Sequence, residues 1–245
     1  MWSREQIQMH REAAKLLDEV KNLAFDYLKD NPGSMEYEVQ GLIIDELQKR
    51  SMDANRDLVM VAFRGNTEEI HNFPSKESKG LKEDSNVWID IWSSLDMEEA
   101  PFADITWMGY HGNEIPKKLL EIFNIVIEAR EKALNYLENN LNQGKIPKGK
   151  EVDKVVKKCI KEGGYGKGIK HNSGHPLGIE NCHGDGLDIY EENSERLERN
   201  LGYALEPGIY LEGTDFGARS EINFIIRDGK ELEITTPRQF EIVKI

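Results

Sequence analysis

Only two cysteines, Cys159 and Cys182, occur in the 245 residues, too few for the disulfide framework of a small secreted protein. Both read as incidental free thiols. No stretch approaches the roughly 20 apolar residues needed to cross a bilayer. The opening MWSREQIQMHREAAKLL carries charge throughout and has no apolar centre like that of a secretory leader. The expectation is a soluble, cytoplasmic protein that meets no membrane. Basic residues are the scarcer charge, 32 Lys and Arg against 45 Asp and Glu for a net charge of −13. Such a surface repels phosphate backbones, so nucleic acid is not expected as a partner. Low-complexity linkers are absent too, and without one the chain reads as a single domain spanning 1–245.

What is present begins with periodicity. Residues 3–28 place Ile7, Leu16, Leu17, Val20, Leu23, Ala24 and Leu28 at helical spacing, and DNPG at 30–33 stops the pattern. A second helix is expected from about residue 34, with Glu36 and Glu38 near its start and Leu42, Ile43, Ile44 and Leu47 as its apolar stripe. Three short runs rich in β-branched and aromatic residues follow at 57–65, 85–95 and 102–112. After Pro116 the helical period returns as far as about 139–144, and a shorter helix is expected over 150–161. Strands reappear at 201–213, 218–229 and 230–235, with Asp228-Gly229 as a hairpin turn. The order helix, helix, strands therefore occurs twice, in halves of about 1–112 and 113–245, which predicts an α+β fold with an internal structural duplication.

Four acids interrupt apolar stretches of these strands: Asp90 in VWIDIW, Asp104 in FADITW, Glu206 in YALEPGIY and Glu221 in RSEINFII. A buried carboxylate is costly unless a cation accompanies it. The first pair is 14 positions apart and the second 15, so two halves packed about a pseudo-twofold axis can bring all four to one point. Between the pairs lies HNSGHPLGIENCHG at 171–184, with three of the six histidines. Four carboxylates and an imidazole can hold two divalent cations. A single acid of this kind would more often face solvent on an edge strand.

In this order the motifs WIDIW, FADITW, HNSGH, LEPGIY and GARSEINF resemble the pita-bread metallopeptidases, a family that includes methionine aminopeptidase, aminopeptidase P and prolidase. The resemblance runs over nearly the whole chain. It implies two pseudo-symmetric helix-helix-strand halves around a curved antiparallel sheet. Residue by residue, it makes Asp90, Asp104, His175, Glu206 and Glu221 the metal ligands, with Asp104 and Glu221 bridging. His171 matches a substrate-contacting histidine of the proline-specific branch, His183 a histidine that stabilises the reacting carbonyl, and His71 a histidine lining the substrate pocket. Arg219, two residues before Glu221, is expected to orient that carboxylate or to meet substrate. Three departures stand out. SSLDMEEAP lengthens the link from Asp90 to Asp104, making Asp96 a competitor for the first position. DITW replaces the family's DITR, and the loop before His183 carries one extra residue, with Gly184 where the family has an acid.

The resemblance implies a dinuclear-metal peptidase cleaving an N-terminal peptide bond of short peptides or protein N-termini, most simply of the Xaa-Pro type. A metal-activated hydroxide would be the attacking group, Glu206 the proton carrier, and His183 and His71 the oxyanion donors. HNSGH favours the proline-specific branch, while the chain's length favours methionine aminopeptidase. Pita-bread proteins that only bind peptides or proteins usually lack several ligands, whereas all five positions are filled here. Four hard oxygens and one imidazole suit Mn²⁺, with Co²⁺, Fe²⁺ or Zn²⁺ as alternatives. A homodimer is compatible with this reading, a partner subunit then helping to shape the pocket. His10 and His111 receive no role and are read as surface residues. Thr106, two after Asp104, is open to a supporting hydrogen bond beside the site, though a strand threonine needs no such role.

Overall fold

The computed structural model describes residues 1–229 and 231–245, with the side chain of Arg56 set aside. Helix α1 (Arg4–Asp30) starts at a capping box: Gln6 N–H donates to Ser3 Oγ at 3.1 Å, and Ser3 N–H donates back to Gln6 Oε1 at 2.8 Å. Its buried stripe of Ile7, Ala13, Ala14, Leu17, Val20, Ala24 and Leu28 follows the helical period. Helix α2 (Glu36–Lys49) completes the first helical pair. Strands β1 (Val59–Phe63), β2 (Ser85–Ser93) and β3 (Ala103–His111) then form an antiparallel ladder.

Because successive strand residues point to opposite faces, this ladder has two distinct sides. Val59, Val61, Val87, Ile89, Ile91 and Ile105 share a core with α1 and α2. Met60, Trp88 and Met108 instead enter a second core with α3 and the later strands. Asp90 lies two residues from Trp88, and Asp104 and Thr106 lie in step with Met108, so all three project from this second, inner face. The register sets Asp90 opposite Thr106 and Trp92 opposite Asp104.

The second half repeats the order. Helices α3 (Lys117–Asn142) and α4 (Gly149–Glu162) precede β4 (Gly174–Pro176), β5 (Gly202–Leu205), β6 (Gly208–Leu211), β7 (Phe216–Arg219), β8 (Ile222–Ile226) and β9 (Leu232–Ile234). Lys230, the expected first residue of the last of these strands, lies outside the described residues. β4-β5-β8-β9 make one antiparallel sheet, and β6-β7 make a separate ladder.

Three features differ from the expected strands. The runs at 201–213 and 218–229 are each broken, at Glu206-Pro207 and at Ser220-Glu221, because the chain changes ladder there. Pro207 has no N–H to continue a ladder. The two breaks meet, with Ser220 N–H donating to the Pro207 carbonyl at 3.2 Å. The histidine loop contains the short strand β4. Finally, β10 (Val243–Lys244) pairs with β3 in the one parallel strand pair among the described residues; the other pairs keep the expected antiparallel sense.

Side-chain amides link the two halves where no strand does. Asn223, on β8, accepts from Asp104 N–H at 2.9 Å and donates to the Asp104 carbonyl at 2.8 Å. Gln239 makes the same double contact with Met108, at 2.8 and 2.7 Å.

Candidate metal centre

Each expected ligand is delivered by a distinct piece of backbone. Asp90 and Asp104 come from the inner face of β2 and β3. His175 is the middle residue of β4, where Gly174 lies so close to β5 that a Cβ would overlap the Ala204 carbonyl. Glu206 and Glu221 occupy the two strand breaks, where the backbone leaves a ladder and the side chain can turn inward. Glu206 N–H is held by the Ser173 carbonyl at 2.9 Å, and Glu221 N–H by Thr106 O at 3.4 Å.

The five side chains converge. Asp90, Asp104 and Glu221 offer oxygens within 4.8 Å of one another, and so do the donor atoms of His175, Glu206 and Glu221. A third group of the same compactness is Asp104, His175 and Cys182. Asp90, Asp104, His175 and Glu221 are buried, while Glu206 retains partial exposure. They line a cavity of about 750 Å³ together with His71, His171, His183 and Arg219.

The electrostatics call for positive charge. Burial raises the Asp90 carboxyl against the pull of Arg219, and the charges of Asp104 and Glu206 reinforce the rise. Burial and the carboxylates of Asp104, Asp90 and Glu206 lift Glu221 well above its ordinary range. At His175, burial favours the neutral ring, but the hydrogen bond to Asp104 and the charges of Glu206 and Asp104 outweigh it and raise the pKa to about 9. These acids recruit a cation, even if it is only a proton on a buried imidazole. Asp90 Oδ1 and Asp104 Oδ1 are buried with no hydrogen-bond partner among the described residues, as carboxylate oxygens reserved for a cation would be. His175 Nδ1–H donates to the Pro176 carbonyl at 3.0 Å. That contact turns Nε2 toward the acids, 3.6 Å from Asp104 Oδ2 and 3.8 Å from Glu206 Oε1, the orientation in which imidazole binds metal. The residues present fit divalent cations.

Such a site in a two-halved α+β frame agrees with the comparisons with known proteins. Residues 8–228 match the model of metallopeptidase family M24. The chain belongs to that family. It is 30% identical over 224 residues, 91% of its length, to an uncharacterized peptidase of Staphylococcus aureus strain USA300, covering 59% of that protein. Among solved structures, this M24 chain superposes over its whole length on the X-Pro aminopeptidase of Thermotoga maritima MSB8, with TM-score 0.87, 26% identity and 64% of that chain covered. The Xaa-Pro dipeptidase of Bacillus anthracis matches 99% of the chain with TM-score 0.86, 25% identity and 63% of its own length. The fold is therefore the expected α+β pita-bread arrangement, and the chain spans about three fifths of the length of these relatives.

The remaining expected residues lie around the centre as follows. Arg219 is buried and pairs with Asp90. It reaches Glu221 through a relay: Arg219 Nε–H donates to Thr106 Oγ1 at 3.1 Å, and Thr106 donates to Glu221 Oε2 at 2.8 Å. Arg219 Nη1 donates to the Ile70 carbonyl at 3.2 Å. His171 Nδ1–H donates to the Asn172 carbonyl at 2.7 Å, and Nε2 accepts from Tyr210 at 3.0 Å. His183 is exposed along one edge and stacks on His175 with centroids 3.7 Å apart. His71 lies exposed at the mouth of the cavity. Burial favours the neutral ring at His71, His171 and His183 alike, reinforced at His71 by Arg219 and at His183 by His175.

Several readings need correction. Asp96 is exposed on the turn after β2, its N–H bonded to Ser51 O at 2.9 Å, and does not line the cavity. His10 is fully buried, its Nδ1–H donating to Phe102 O at 2.8 Å while Nε2 accepts from Thr235 at 2.7 Å. His111 is half-buried, 3.3 Å from Ile245 O and 3.7 Å from Glu83. Thr106 takes the first of the two readings left open for it, as the relay between Arg219 and Glu221. Cys182 is no bystander, since its S–H donates to Asp104 Oδ2 at 3.0 Å. Its position seven residues beyond His175 in one short loop is the signal that could have found it.

Proposed function

We propose that this chain hydrolyses the N-terminal peptide bond of short peptides with proline in the second position, using two divalent cations held by Asp90, Asp104, His175, Glu206 and Glu221. The observation that carries the reading is the convergence of these five side chains, drawn from both halves, in overlapping donor groups that share Asp104, His175 and Glu221. Because each half supplies ligands, the reading treats residues 1–245 as one domain. The likeness to an X-Pro aminopeptidase and an Xaa-Pro dipeptidase supports the proline preference. So does the cavity wall, where Met60, Ile70, Phe73, Trp92 and Phe102 offer apolar surface to a ring that has no N–H. Mn²⁺ is the ion that four carboxylates and one imidazole suit best.

Bound by Asp90, Asp104, His175, Glu206 and Glu221, divalent cations would lower the pKa of water and polarise a peptide carbonyl. The protein does the rest. Arg219 and Thr106 fix Asp90 and Glu221, so those carboxylates need no rearrangement when charge develops. Glu206, with one oxygen toward His175 and the other 3.9 Å from His171 Nδ1, is placed to take the proton of the attacking water and pass it to the leaving amine. His183 and His71, kept neutral, present N–H donors to the oxyanion from the open side of the cavity. His171, fixed between Asn172 O and Tyr210, borders the substrate path.

A panel of Xaa-Pro dipeptides, Xaa-Pro-Xaa tripeptides and Met-Ala-Ser, assayed with added Mn²⁺, tests the proposal. Cleavage of one of the proline series is expected. Selective turnover of Met-Ala-Ser would overturn the substrate class, and full activity in Asp104→Ala would overturn the site.

A further inference from the structure

Cys182 lies outside the five-residue ligand set, yet it points into the same centre. The residue is 7% exposed, and its sulfur belongs with Asp104 and His175 to a compact donor group. The loop fixes it there: Cys182 O accepts from Gly178 N–H at 2.9 Å, and His183 forms a β-bridge with Leu177. Asp104, the acid it contacts, is itself 5% exposed and keeps Oδ1 without a hydrogen-bond partner among the described residues. Asp104, with one oxygen left open for a cation, thus shares a donor group with the Cys182 sulfur.

We propose that Cys182 Sγ is a sixth protein donor of this centre and that it makes the two cation positions chemically unequal. The proposal rests on the dinuclear reading above. Asp104 is common to both donor groups. On one side it joins Asp90 and Glu221 in an all-carboxylate position, which suits a hard ion such as Mn²⁺. On the other it joins an imidazole nitrogen and a sulfur, which suit Zn²⁺, Co²⁺ or Fe²⁺. When sulfur binds a cation, the S–H proton now directed at Asp104 Oδ2 leaves to solvent and a sulfur lone pair forms the new bond. The loop departure seen in the sequence thus gives one half of the centre a soft ligand.

The full-length chain, stripped with a chelator and reloaded with one equivalent of Zn²⁺, provides the test. X-ray absorption should show a sulfur scatterer about 2.3 Å from zinc. That shell should vanish in Cys182→Ser and persist in Cys159→Ser, whose thiol, on α4, sits 3.6 Å from Nζ of Lys132 on α3. Zinc affinity should fall at least ~10-fold in Cys182→Ser, with Mn²⁺ binding at the carboxylate position unmoved. Titration of the wild-type chain with Co²⁺ should add a thiolate charge-transfer band in the near ultraviolet, a readout that needs no variant to fold. Two bound ions with only nitrogen and oxygen around zinc would overturn the role of Cys182 and leave the dinuclear reading standing. A chain that binds no divalent ion would overturn both.

Discussion

Thr106 carries a contact between two charged groups that do not touch. Its hydroxyl accepts from Arg219 and donates to Glu221, so a single oxygen sets the orientation of a carboxylate shared by two donor groups. Thr106→Val keeps the shape and removes the relay. Partners of this kind are worth about 10–100-fold in metal affinity or activity. A loss in that range is expected, read by Mn²⁺ titration and by turnover of the preferred peptide, with the far-ultraviolet circular dichroism unchanged. Asp90, Asp104 and His175 could be seen in the sequence because an acid among apolar strand residues, or a histidine between a glycine and a proline, is conspicuous where it stands. His10 could not, and of Thr106 and Cys182 the sequence shows only a place near the acids, not the partner. A threonine on a strand is ordinary, and the partners that give these residues meaning lie 78 to 225 positions away.

His10 shows how an element is tied down. It fastens α1 to the start of β3 through Phe102 O and to the residues after β9 through Thr235. Burial is the main reason its pKa falls from the ordinary 6.5 to about 4, with Phe102 O opposing. Folding thus favours the neutral ring. Stability from this group is intact above pH 6.5 and is lost as the pH falls toward 4, because the unfolded chain binds the proton first. The full excursion is on the order of 3 kcal/mol. Urea unfolding followed from pH 7 to pH 4 should show this decline, and His10→Gln should flatten it while lowering stability at pH 7. The long helices and the β1–β3 ladder were legible because their periods are unbroken. The breaks at Glu206-Pro207 and Ser220-Glu221 were not, since a strand that changes partner keeps its apolar composition. Strands β4 and β10, three and two residues long, carry too little pattern to register.

At the scale of the whole molecule, the centre sits where the halves meet, and its acids crowd together at a cost that a cation relieves. An ion supplied at about 100 times its Kd contributes about 2.7 kcal/mol, which for a chain of this size raises Tm by roughly 5–11 °C. Differential scanning calorimetry with Mn²⁺ and then with excess chelator should show that rise and its reversal. Asp104→Ala should show neither. A wild-type Tm indifferent to divalent ions would contradict the proposed centre. Among the described residues no helix is long and apolar enough to cross a membrane. The repeated element order was readable because both halves obey the same alternation of periods.

The amide contacts of Asn223 and Gln239 with β3 have a kinetic meaning. Backbone ladders on either side of this seam are held by many cooperative rungs, whereas the amides of Asp104 and Met108 are held across it by two side chains that can rotate away without unfolding a strand. Beside them lie the single rung from Glu221 N–H to Thr106 O and the short pairing of β10 with β3. Hydrogen exchange at those two backbone amides should therefore report the parting of the halves separately from global unfolding. Since Asp104 is itself one of the groups that converge on the centre, a cation bound there would slow the exchange of its own ligand's amide, and the breathing of the seam would become a measure of occupancy.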